Sequence, residues 1–135
     1  MTRYLTLGDY LRHNAQRPAR SGVVVSPDLP SVWAALLAPA TPLGNGHRYH
    51  GVLSQAMVQT VRLIRRSDAD PSDDPVTLAC LRDFIAANGG RWQSGRDDLS
   101  EFAVLAMAIR SGKCRRAALL QWMLSHVRRP TEEEP

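Results

Sequence analysis

Arg91, Trp92 and Arg96 sit close together in a stretch loosened by Gly89, Gly90 and Gly95. A tryptophan between two guanidinium groups can stack a base or anchor a protein interface, because Trp and Arg are enriched at binding hot spots. The competing reading is that Trp92 folds back and plugs the core, since tryptophan is highly buried on average. A second cationic group, Lys113, Arg115 and Arg116, falls at the predicted start of a helix. Cations there oppose the helix dipole at about 0.3–1 kcal/mol each when exposed, a cost that a phosphate backbone would offset. The preceding Ser111-Gly112-Lys113 has the length and the glycine of a helix-turn-helix corner, and Gln121, outward on the helix that follows, is a competent reader of base edges. Against this, Arg116 falls within the apolar stripe of that helix and Trp122 on a flank. The alternative is an ordinary helical hairpin whose cations pair with Asp97, Asp98, Glu101 or the acidic tail.

Other constellations are thinner. In His47-Arg48-Tyr49-His50, Arg48 and Tyr49 are candidate partner contacts, while His47 and His50 lack a third or fourth ligand nearby in sequence, so no metal is assigned. Asp68, Asp70, Asp73 and Asp74 lack the alternate ligand positions, mid-loop glycine and terminal glutamate of a calcium loop. Helix capping and attraction to Arg65 and Arg66 account for them. Cys80 and Cys114 have no metal spacing and are too few for a disulfide framework; buried thiols in a reducing compartment are expected. Cys114 and His126 lie on one predicted helix about 18 Å apart, which excludes a catalytic pair, and nothing supports pairing Cys80 with His13, His47 or His50. There is no phosphate loop, dinucleotide turn or nucleophile elbow. No catalytic residue and no cofactor is assigned.

Six helices separated by Gly and Pro would position these groups. The first runs from Leu7 to Arg17 with Thr6 as N-cap and Asp9 in its first turn. Val23-Val24-Val25 is one short extended segment or strand. Ser31 caps a helix over Val32–Ala38, and Gly44-Asn45-Gly46 marks a turn. The third helix, Gly51–Arg66, is amphipathic, with Leu53, Met57, Thr60, Val61 and Ile64 inward and Gln55, Arg62, Arg65 and Arg66 outward. Asp74-Pro75 starts the fourth, which ends at Asn88 before Gly89-Gly90. Arg91–Asp97 reads as a loop. The fifth, Leu99–Ser111, is apolar on every side through Phe102–Ile109 and is expected to be the central core element. The sixth runs from Lys113 to Arg129, with Leu119, Leu120, Met123, Leu124 and Val127 inward, and Pro130 ends it.

The expected architecture is an all-α, compact single-domain bundle of five to six helices over 1–130, with 131–135 a disordered acidic tail. The length, 135 residues, fits one domain. The longest apolar run, Phe102–Ile109, is far short of a membrane span, and the N-terminus shows no signal peptide, so a cytoplasmic protein is expected. Sixteen of the seventeen basic side chains are arginine and the net charge is +4, which favours acidic partners without choosing among them. Several arginines, Arg62, Arg65, Arg66, Arg128 and Arg129, fall at predicted helix C-termini, where the dipole alone favours them.

The composition and motifs point to a small non-enzymatic binding protein, an adaptor, inhibitor or regulator, docking on an acidic protein partner through Arg48, Tyr49, Arg91, Trp92 and Arg96. The alternative is a nucleic-acid-binding protein using a helix-turn-helix-like corner at 98–129, with Arg62, Arg65, Arg66, Arg110, Lys113, Arg115, Arg116 and Gln121. An enzyme with an unrecognised site comes third. The oligomeric state is left open.

Overall fold

The computed structural model describes residues 3–16, 28–38, 51–66, 71–113 and 116–128. The expected segment Val23–Val25, the His47–His50 stretch, Cys114, Arg115, Arg129 and the acidic tail lie outside them. The fold is the expected all-α bundle with a small two-stranded ribbon added. Six helices are present among the described residues: α1 (Leu7–Ala15), α2 (Leu29–Leu37), α3 (Gly51–Arg65), α4 (Asp74–Ala87), α5 (Asp98–Arg110) and α6 (Arg116–Leu124). The ribbon pairs β1 (Arg91–Trp92) with β2 (Val127–Arg128), antiparallel.

Local chemistry explains most of the boundaries. Thr6 and Asp9 form a reciprocal capping box at α1: the Asp9 N–H donates to Thr6 Oγ1 at 3.2 Å and the Thr6 N–H donates to the Asp9 carboxylate at 2.9 Å. These bonds outweigh the effect of partial burial and hold the Asp9 carboxyl below its ordinary range. Helix α2 begins earlier than expected. Its cap is Asp28, which accepts from the Ser31 hydroxyl at 2.7 Å, and Pro30 lies in the first turn rather than before it. The chain leaves α4 through Gly89, at φ +85°, a conformation that glycine alone adopts without strain.

The central element is α3, not α5. Nine residues of α3 are buried, including Gln55 and Gln59, which the amphipathic reading left outside or unplaced. It packs against α2, α4, α5 and α6. Leu36, Leu81, Phe84, Phe102 and Met123 are fully buried around it. Helix α5 buries only Phe102, Ala106, Ile109 and Asp98, and Val104 and Met107 on its other side are 69% and 65% exposed. An all-apolar helix of this kind has one face in the core and one in solvent.

Two ion pairs lock the C-terminal ends of α3 and α5 to the start of α4. Arg66 pairs with Asp73 at 3.2 Å, both side chains almost wholly buried, and its guanidinium lies 5.5 Å from the centre of the Tyr10 ring. Arg110 pairs with Asp74 at 2.5 Å. Carboxylates at a helix N-terminus and guanidiniums at helix C-termini each agree with the helix dipoles. The acidic loop therefore spends Asp73 and Asp74 on internal bonding. Among the described residues no helix is long and apolar enough to cross a membrane.

Candidate partner-binding site

Helix α6 ends at Leu124, five residues before the expected stop, and this changes where Arg128 goes. The Ser125 hydroxyl donates to the Trp122 carbonyl at 2.6 Å, and His126 Nδ1 lies 2.8 Å from the same oxygen. Side chains that bond the local backbone in this way compete with helix continuation. Past His126 the chain extends as β2 and pairs with β1, with Arg91 opposite Arg128 and Trp92 opposite Val127. The Gln93 N–H continues the ladder to the His126 carbonyl at 2.7 Å.

Strand alternation then sorts the side chains. Trp92 turns inward and is half-buried. Its ring stacks on His126 at 5.0 Å between centroids and tilts against Trp122 at 5.3 Å, while the Arg82 guanidinium lies 5.9 Å from its centre. Beneath it Asp98, only 3% exposed, is the hub. The Asp98 carboxylate accepts from Trp92 Nε1 at 3.0 Å, the Gly95 N–H at 3.0 Å, Arg82 at 3.2 Å and His126 Nε2 at 3.0 Å. A Cβ on residue 95 would come within 3.0 Å of that carboxylate, so glycine permits the approach. Burial pushes the Asp98 carboxyl up, but the bonds from Trp92 and Gly95 and the His126 ring outweigh it and hold it below the usual range.

Asp98, Glu101 and His126 present ligand atoms within 4.8 Å of one another. Asp98 and His126 already have their polar atoms engaged, however. Asp98 accepts four hydrogen bonds, and Glu101 accepts from Trp122 Nε1 at 2.9 Å. The cluster ties α4, β1, α5 and the end of α6 together, as a hydrogen-bonded staple rather than an open coordination site.

Above the staple the ribbon presents Arg91 and Arg128 side by side, both exposed, with exposed Arg96 on the adjoining loop. None of the three has an acidic partner among the described residues. Like charges directly opposed across a strand pair are destabilising. Sequence reasoning missed Arg128, which it assigned to a helix terminus; only a β-branched Val127 before it hinted at strand.

The other expected residues scatter. Arg48, Tyr49 and Arg115 lie outside the described residues. Arg62 and Arg65 are exposed on α3, and Gln121 on α6. Arg66 is buried in its pair with Asp73 and cannot reach a nucleic acid. Lys113 lies before α6, which begins at Arg116, so among the described residues Arg116 is the cation that opposes the helix dipole. Cys80 is buried, and burial above all, with Asp83 and Asp9 adding to it, pushes its thiol up to about 12. His13 places Nε2 2.5 Å from Asp83. A cleft of about 210 Å³ beside α1 is lined by Arg3, Tyr4, Asp9, Arg12 and Asp83, and there Arg12 pairs with both acids. Comparison with protein-family models, with curated proteins and with solved structures finds no match.

Proposed function

We propose that this is a small non-enzymatic binding protein, an adaptor, inhibitor or regulator, that docks on the acidic face of a larger protein partner through Arg91, Arg128 and Arg96. The observation that carries the reading is the register of the ribbon: Arg91 and Arg128 face each other, exposed, with no acidic partner among the described residues. Two planar guanidiniums in register suit a pair of carboxylates, each engaged by a two-point fork. The Trp92–Asp98–His126 staple holds the ribbon rigid, which lowers the ordering cost of binding. Trp92 on this reading is the platform under the contact and not the contact itself. A cytoplasmic setting without cofactor or membrane belongs to the same reading.

Nucleic acid is the competing anion, through Arg62, Arg65, Lys113, Arg116 and Gln121, but without Arg66, which is buried in its pair with Asp73. One experiment separates the two. The wild-type chain and the double variant Arg91→Glu/Arg128→Glu are used as bait in an extract of the native host, with thermal melting as a control for folding. The expected outcome is a protein partner held by the wild type and lost by the variant. Identical capture by both would sink the proposal. A shift of labelled duplex DNA that weakens steeply with salt and survives the double variant would favour the nucleic-acid reading instead.

A further inference from the structure

Helix α5 carries a second surface, separate from the ribbon's arginines. Ser100, Val104, Met107 and Ser111 recur at the spacing of one helical face, opposite Phe102, Ala106 and Ile109. Val104 and Met107 are the most exposed large apolar side chains among the described residues. No charged residue stands on that stripe. The charges stand at its ends, with exposed Asp97 before the first turn and exposed Lys113 and Arg116 beyond the last.

We infer that this face pairs with the same face of a second copy of the chain, the two α5 helices running antiparallel about a two-fold axis between Val104 and Met107. In that arrangement Val104 of one chain meets Met107 of the other, and Ser100 meets Ser111. Serines at the flanks let the two backbones approach. Asp97 faces the end of the other copy's helix that carries Lys113, and the two helix dipoles oppose each other favourably. A parallel pairing would instead set acid on acid and base on base. The two charged ends of the stripe are separated by the 13 residues of α5, about 20 Å along the helix. That exceeds the Debye length of about 8 Å at physiological salt, so each end senses its immediate neighbour and orientation is specified. The contact is isologous, with each chain offering the same patch, so association closes at the dimer.

Sedimentation of the full chain over a micromolar concentration series tests this. The expected result is a mass rising from 14.9 kDa toward twice that value. Met107→Glu and, separately, Val104→Glu replace solvent-exposed side chains, so helicity should be retained while the dimer is lost at every concentration. Asp97→Lys alone and Lys113→Asp alone should each weaken association about tenfold, and the two together should restore it. A wild-type chain that stays monomeric throughout overturns the inference, as does a dimer indifferent to Met107→Glu. Failure of the paired charge swap to restore association overturns the antiparallel arrangement.

Discussion

Gln59 is the residue hardest to reconcile with a well-ordered core. It lies at the middle of α3, fully buried, and neither its amide nitrogen nor its oxygen has a hydrogen-bond partner among the described residues. A buried polar group left unsatisfied costs about 1–3 kcal/mol. Leucine has nearly the same volume and no polar atom. Gln59→Leu should therefore raise stability by about 1–3 kcal/mol, read as a higher midpoint in denaturant with unchanged slope; a lower midpoint would show that the amide is needed. Its burial was not legible in the chain. Gln59 stands beside the apolar positions of the helix, and nothing local says that neighbours enclose it on that side too. Thr6 and Asp9 are the opposite case, because a capping box needs only residues three apart.

At the scale of elements, the ribbon and α5 depend on Asp98. Its carboxyl is held below the ordinary range in the fold, so the ionised form stabilises the native state at neutral pH. That contribution is complete above the unfolded-state value of about 3.9 and is lost as pH falls through the lower folded-state value. Asp98→Asn should lower stability at pH 7 by about 1.5–3 kcal/mol, the range for hydrogen bonds to a charged group. The variant should also lose less stability than the wild type between pH 5 and pH 2. Thermal melts across that range check both statements, and parallel curves for the two proteins would refute the role given to the carboxylate. The helix starts at α1, α3 and α5 and the stop at Gly89-Gly90 were readable, since caps and glycines act locally. The ends of α2 and α6 were not. Asp28 displaced Ser31 as the cap, and the Ser125–His126 bonds to the Trp122 carbonyl ended a helix whose apolar spacing ran on to Val127.

Across the described residues one hydrophobic cluster joins all six helices, and the ribbon leans on it through Trp92 and Val127. Unfolding should consequently be a single cooperative transition. In a Trp33→Phe variant tryptophan fluorescence reports the ribbon end through Trp92 and Trp122, and it should change at the same urea concentration as far-ultraviolet circular dichroism, which reports the helices. An earlier fluorescence transition would mean that the ribbon end melts as its own unit. By itself the sequence determined the class of fold, the number of helices and most of their starts, because helical periodicity, caps and glycine stops are encoded within a few residues. It also confined attention to the cations around Arg91 and Lys113. Only the tertiary structure decided that α3 is central and that α5 has a free apolar face. It also buried Arg66 and set Arg128 opposite Arg91. Those outcomes depend on which faces of distant segments meet, and on a helix ending where side chains bond its last carbonyl, neither of which a periodic pattern along one segment records.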